Sequence, residues 1–155
     1  MTVDDPDQDK VSEWATGCRN YTRDVLQQLG HSADLMQTAP GAAAGIIENG
    51  LAQESAPQTP EERIRLQTLL MAFLAEFLIS AHGAKWTWVD DQDSPVGGRW
   101  VVSGLAHPLK QGTAPVDVGG LVANALASAA TISLITLINQ AELAAGVRIL
   151  RGARP

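Results

Sequence analysis

Residues 82–104, HGAKWTWVDDQDSPVGGRWVVSG, hold three of the four tryptophans of the chain. The segments KWTWV and RWVVS both alternate as β-strands do, and the residues between them, DDQDSPVGG, are rich in turn formers. The pattern predicts an antiparallel hairpin with Trp88 opposite Trp100. In this register Trp86 lies opposite Val102, and all four side chains share one face. A two-stranded sheet alone is barely stable in water, so we expect this face to seat the hairpin on the helix that precedes it.

That helix is predicted over residues 60–82. Thr59 offers a capping hydroxyl, Pro60 stands at the first helical position, and Glu62 is an acid three residues after the cap. The residues that follow, IRLQTLLMAFLAEFLISA, are apolar over more than half of the helix circumference, and Gly83 ends the pattern. A helix of this kind must be covered on several sides, so we expect it to be the central element of the fold.

Further helices are predicted before this segment. Apolar residues recur at spacings of three and four from Val11 to Leu29, which indicates an amphipathic helix capped near Gly30. Cys18 lies on the buried face of that helix, and we interpret it as a small core residue rather than a reactive thiol. Pro40 opens another, alanine-rich helical stretch.

Residues 118–138 carry no charge over 21 positions, about the length that spans a bilayer. One interpretation is a membrane helix. However, Ala, Ser, Thr, Gly and Asn124 fill half of the segment, and no aromatic residue marks either end. We therefore favour a buried position in the core, as one helix or as two, with Asp117 as the candidate cap of a helix that begins near Val118. On this interpretation the protein does not associate with a membrane.

Together these elements predict a single α+β domain. A chain of 155 residues is long enough to bury one core of ordinary size. We expect a predominantly helical fold over residues 11–150, with four or five helices packed around one antiparallel hairpin. Residues 1–10 are predicted to be a flexible acidic tail and residues 151–155 a flexible C-terminus.

The composition restricts the partners and the compartment. Seventeen acidic residues against 11 basic ones give a net charge of −6, and the chain has no basic stripe to neutralise phosphates, so we expect no nucleic-acid partner. A single cysteine allows neither an intramolecular disulfide nor a cysteine-based metal site. The first residues, MTVDDPDQDK, lack the basic and apolar regions of a secretory signal, and we therefore expect a cytoplasmic protein.

The sequence contains no motif that is typical of catalysis, metal binding or phosphate binding. The three histidines, His31, His82 and His107, show none of the short spacings of a metal site. The patterns GxSxG and GxxxxGK are absent as well. We therefore predict no catalytic residue, no metal ion and no cofactor.

The strongest candidate for a binding surface is the tryptophan face itself. If part of it is uncovered, Trp86, Trp88 and Trp100 offer a flat apolar platform for a peptide or a small ligand. His82 and Lys85 would lie at its margin. We therefore predict a non-catalytic, cytoplasmic interaction module whose partner is another protein.

An alternative is a small-molecule binding protein or an enzyme, with its pocket between the helix over residues 60–82 and the hairpin. Glu76, His82 and a tryptophan would line that pocket. The alanine-rich, uncharged C-terminal half also indicates a homodimer, because it offers more apolar helix surface than one hairpin can cover.

The order of the elements resembles a diffuse group of small uncharacterised bacterial α+β domains. A long apolar helix, here LLMAFLAEFLISAHG, is followed by a tryptophan-containing hairpin, here WTWV and RWVV, by a loop with proline and by another helix. The resemblance covers about residues 60–130 and rests on this pattern rather than on a catalytic motif. Because some of these domains act as immunity or accessory proteins that bind a partner, it implies a non-enzymatic role and transfers no individual functional residue.

Overall fold

The computed structural model describes residues 6–53, 57–93, 97–104, 115–128 and 132–144, with side chains from Asp9 onward. These residues form six helices and one two-stranded antiparallel sheet. In chain order the elements are α1 (Pro6–Gln28), α2 (Leu35–Thr38), α3 (Pro40–Gln53), α4 (Pro60–His82), β1 (Lys85–Asp90), β2 (Gly98–Ser103), α5 (Val118–Ser128) and α6 (Leu134–Ala144). Because α2 is a single turn of four residues, five longer helices accompany the hairpin, which confirms the predicted helical α+β fold.

Helix α1 begins earlier than the sequence predicted, at Pro6 instead of Val11. Residues 6–10 of the predicted acidic tail are therefore helical. A proline suits the first turn, because the backbone N–H that it lacks would have no partner within the helix at that position. The rest of the predicted tail, residues 1–5, and the predicted flexible C-terminus, residues 151–155, lie outside the described residues.

The ends of α4 are fixed by the residues that the sequence indicated. The Thr59 hydroxyl accepts a hydrogen bond of 3.1 Å from the backbone N–H of Glu62, which caps the first turn. Gly83 follows the last turn with a φ of +71°, a left-handed conformation that glycine adopts without steric cost. Its backbone N–H donates to the carbonyl of Ile79.

Helix α4 occupies the centre of the fold, as predicted. Its residues 72–78 are all buried, and the helix packs against each of the other helices and against β2. It is also the one described helix that is long and apolar enough to cross a membrane, with a mean hydropathy of 1.5 over its most apolar window. Since 44% of that window is buried inside the molecule, much of its apolar surface is taken up by the neighbouring elements.

The uncharged segment 118–138 contains two helices rather than one. Asp117 caps α5 as predicted, because its Oδ1 accepts a hydrogen bond of 3.0 Å from the backbone N–H of Gly120.

The start of α6 is capped by a residue from a distant part of the chain. Glu48 of α3 accepts hydrogen bonds from the Leu134 backbone N–H, at 2.8 Å, and from the Ser133 hydroxyl, at 2.5 Å. A carboxylate therefore satisfies the N-terminal end of α6.

The hairpin has the predicted register. Trp88 pairs with Trp100, and Trp86 pairs with Val102. Gly98 is the first residue of β2. A Cβ at this position would lie 2.3 Å from the Trp88 ring and 2.7 Å from a backbone oxygen, so a side chain does not fit there. The absence of a side chain there lets the Trp88 indole lie close to the opposite strand.

Two helices support the tryptophans of the hairpin, and the sequence predicted only one of them. Helix α4 contacts β2, but α1 contacts β1 and contributes the fourth tryptophan, Trp14, to the hairpin face. The N-terminal part of α1 thus lies beside the hairpin that follows the C-terminal end of α4. The two long helices therefore run antiparallel, and this arrangement brings Trp14 to Trp86 and Trp100.

Candidate functional site

A groove of about 360 Å³ lies between α1 and α4, and we call it the α1–α4 groove. Trp14, Cys18 and Tyr21 line it from α1, where spacings of four and three place them on one face. Met71 and Ala72 line it from α4. Gly17 and Thr68 complete these walls, and Glu13 lies at the rim. The groove is mainly apolar, and Gly17 leaves room in it because no atom lies within 4 Å of a Cβ built there.

Beside the groove, Trp14, Trp86, Trp88 and Trp100 form a continuous aromatic cluster, which we call the indole cluster. Trp14 stacks on Trp100 with ring centroids 4.9 Å apart and an interplanar angle of 3°. Trp86 meets both of these rings edge-on, and Trp88 meets Trp100 edge-on at 5.1 Å. Trp86 is 3% exposed, whereas the other three indoles are half-buried. The predicted tryptophan face is thus covered at one end and open at the other.

The polar atoms of the indole cluster differ in their partners. The Trp88 Nε1–H donates to Asp90 Oδ1 at 3.2 Å, and the Lys10 ammonium lies 4.3 Å from the centre of the Trp88 ring. The Nε1 atoms of Trp14 and Trp86 are buried and have no acceptor within the part of the chain that the structure describes. The free energy gained by packing the Trp14 and Trp86 rings therefore exceeds the free energy lost when their N–H groups give up hydrogen bonds to water.

Glu76 is the most unusual residue next to the groove. Its side chain is 2% exposed, and its one ion pair is a long one, 3.8 Å from Oε1 to Arg19 Nε. Among the described residues no group donates a hydrogen bond to it. Burial raises the pKa of this carboxyl, and the nearby Arg19 partly opposes that effect. Glu76 follows Ala72 by one helical turn, and its charge acts on the thiol of Cys18, but it does not line the groove itself.

Cys18 is half-buried in the wall of the groove. Burial first, and the Glu76 charge second, raise the pKa of its thiol to about 12. The thiol is therefore protonated at neutral pH, which agrees with the prediction of a packing residue rather than a nucleophile.

Two other predicted site residues, His82 and Lys85, have surroundings that differ from those of Glu76. Nε2 of His82 lies 2.6 Å from Oε2 of Glu142 on α6, and Glu142 is buried. Lys85 is exposed at the start of β1, where it pairs with Ser103 of β2, and no described carboxylate forms an ion pair with its ammonium. His82 and Glu76 are six residues apart on α4, and their ionic contacts are made with different helices, with Glu142 on α6 and with Arg19 on α1.

The α1–α4 groove lies on the α1 side of α4. Sequence reasoning did not identify Trp14, Tyr21 or Met71 as residues that line a groove. The spacing of Trp14, Cys18 and Tyr21 showed that they share a face, whereas nothing local showed that α4 would lie opposite them. Within the described ranges, no group of three or more His, Cys, Asp or Glu side chains is placed to hold a metal ion.

The chain was also compared with other proteins. No protein family, no curated protein and no solved structure gave a significant match.

Proposed function

We propose that this protein is a non-catalytic, cytoplasmic interaction module that binds another protein through the indole cluster. The observation that carries the proposal is the stack of Trp14 on Trp100, which the neighbouring Trp86 and Trp88 rings contact and which is only half-buried. Tryptophan is enriched among the residues that dominate binding at protein interfaces. An indole that is already held by its neighbours loses little side-chain entropy when a partner covers it.

The charge of the protein favours a basic partner surface. The chain has a net charge of −6, and complementary charge speeds association and excludes wrong partners. The contact between Lys10 and Trp88 shows that an indole of the cluster accepts a cation over its ring. A lysine or arginine of the partner would make the same kind of contact.

The test is site-specific photocrosslinking in cells. A photoreactive benzoylphenylalanine replaces Lys10, whose ammonium lies over the Trp88 ring, or Glu61, an exposed control position in the first turn of α4. We expect the Lys10 position alone to crosslink one defined protein. An excess of unlabelled wild-type chain should abolish the product, and a Trp88→Ala chain should compete less well.

Two results would contradict this proposal. Equal products from the Lys10 and Glu61 positions would show that the indole cluster is not the contact surface. A product formed only with a second copy of this chain would replace the partner protein by a homodimer.

A second candidate function, the binding of a small molecule, is supported by the α1–α4 groove. Its volume of about 360 Å³ lies within the range of about 300–1,000 Å³ that is typical of ligand pockets. Such pockets combine apolar walls with a few polar groups, and here Trp14 and Met71 provide walls while Tyr21 and Thr68 provide hydroxyl groups.

A further inference from the structure

We propose that the α1–α4 groove binds an uncharged aromatic molecule that carries a hydroxyl group, with Tyr21 and Thr68 as the hydrogen-bond partners of that hydroxyl. This inference rests on the second candidate function and names the chemical class of its ligand. It does not depend on a partner protein at the indole cluster.

The walls of the groove suit an aromatic ring. Trp14 lines the groove while its indole stacks on Trp100, so the hairpin supports this part of the wall. Cys18 and Met71 line the groove from the two helices, and sulfur atoms contact aromatic rings favourably. Gly17 has no side chain, so the space between the helices remains open. A single ring with a short substituent fits a cavity of about 360 Å³.

Two hydroxyl groups provide hydrogen-bonding partners for a ligand. Thr68 lines the groove from α4, and its hydroxyl already donates to the Ile64 carbonyl at 2.9 Å, so it remains free to accept. Tyr21 lines the groove from α1, is half-buried, and has no hydrogen-bond partner for its hydroxyl among the described residues. Burial raises the pKa of this hydroxyl, so it keeps its proton at neutral pH and can donate. A ligand hydroxyl matches the pair, because it can accept from Tyr21 and donate to Thr68.

The charges around the groove favour an uncharged ligand. Of the described residues that line it, Glu13 is the one carboxylate, it is exposed at the rim, and none is a lysine, arginine or histidine. Glu13 repels an anion at the entrance, and burial raises the pKa of the Cys18 thiol, which shows that negative charge is also costly in the wall. A cation would lose its hydration in the groove and meet no buried carboxylate on the described walls. A neutral molecule meets neither cost.

The experiment compares four probes built on a toluene ring, namely 4-methylphenol, p-xylene, 4-methylbenzoate and 4-methylbenzylamine. Binding is followed by the ¹H–¹⁵N signal of the Trp14 indole, assigned with a Trp14→Phe chain. A second measurement is the protection of Cys18, the only thiol, from methyl methanethiosulfonate. We expect 4-methylphenol and p-xylene to bind, and both charged probes to bind at least about tenfold more weakly than 4-methylphenol.

Two variants test the hydrogen bonds without changing the shape of the groove. Tyr21→Phe removes the hydroxyl and keeps the ring. It should weaken the binding of 4-methylphenol about fivefold to tenfold, the effect of one lost hydrogen bond, and leave the binding of p-xylene unchanged. Thr68→Val replaces the other hydroxyl by a methyl group and should have the same selective effect.

A third variant locates the binding. Gly17→Phe fills the groove and should abolish the binding of every probe. Gly41→Phe is the matched control, because Gly41 is also an exposed helical glycine with open space around its Cβ position. Near-UV circular dichroism confirms that each variant is folded.

The outcomes separate the ligand class from the groove itself. If Tyr21→Phe or Thr68→Val binds 4-methylphenol as tightly as the wild type does, or if a charged probe binds as tightly as 4-methylphenol, the ligand class is wrong while the groove remains a binding site. If no probe shifts the Trp14 signal or protects Cys18, or if Gly17→Phe binds as the wild type does, both the ligand class and the second candidate function are wrong.

Discussion

Cys18 and Glu76 lie close together between α1 and α4, and burial acts on both of their acid groups. Removal from water disfavours the charged form of each, so the pKa values of the thiol and the carboxyl both rise. The Glu76 charge also disfavours the thiolate of Cys18. Negative charge is therefore costly at this position between the two helices, although both residues are acids.

The reactivity of Cys18 should reveal this environment. Only the thiolate is nucleophilic, and a pKa of about 12 leaves a very small thiolate fraction at neutral pH. We expect alkylation by iodoacetamide to accelerate about tenfold per pH unit between pH 7 and pH 10, without a plateau. Mass spectrometry of the intact chain measures the rate, with free glutathione as the control. A plateau below pH 9 would contradict the raised pKa.

Helix ends show what can and cannot be predicted at the scale of an element. The caps of α4 and α5 involve residues three positions apart, Thr59 with Glu62 and Asp117 with Gly120, and both were predicted. The cap of α6 comes from Glu48, 86 positions before Leu134. No local sequence pattern predicts such a contact, because the contact forms only when α3 and α6 pack together.

We expect the Glu48 cap to contribute measurably to stability. A Glu48→Ala chain loses a charged acceptor at the N-terminus of α6 and leaves the Leu134 N–H without it, which should cost about 1–2 kcal/mol of unfolding free energy. Urea denaturation followed by far-UV circular dichroism measures the change. Glu61→Ala is the matched control, since Glu61 is exposed in the first turn of α4 and should change stability by less than about 0.5 kcal/mol. Equal losses in the two variants would rule out a specific cap.

The same contrast between local and distant contacts explains which contacts of the candidate site were predicted and which were not. The hairpin register was predicted because alternation and turn composition are local properties, and Trp88 does pair with Trp100. The contact of Trp14 with Trp100 and that of His82 with Glu142 were not predicted. Both depend on which helices become neighbours in space, and hydrophobic periodicity does not specify this.

At the scale of the whole molecule, α1 connects the central helix α4 with the hairpin, which the sequence predicted to pack on each other without α1. Its Trp14 contacts the hairpin, while Arg19 and Cys18 face α4. The hairpin is therefore held between α1, α4 and α5 rather than resting on α4 alone. Removal of the contact at Trp14 should weaken the attachment of α1 to both neighbours.

Two substitutions of Trp14 separate ring packing from hydrogen bonding. Trp14→Ala removes the stack on Trp100 and should cost about 2–4 kcal/mol of unfolding free energy. Trp14→Phe retains an aromatic ring and removes a buried N–H that has no acceptor among the described residues, so its cost should be less than half as large. Urea denaturation measures both. Equal costs would show that a single aromatic ring does not restore the packing of this side chain, and would contradict the explanation by stacking.

The gathering of all four tryptophans into the indole cluster has an optical consequence. Excitation energy passes readily between rings in contact, so the intrinsic emission of the protein originates from one location where α1 meets the hairpin. Fluorescence will therefore report the docking of α1 sensitively and will hardly register events at the junction of α3 and α6. A difference between the emission and far-UV dichroism melting curves would thus reveal that one end of the molecule loosens before the other.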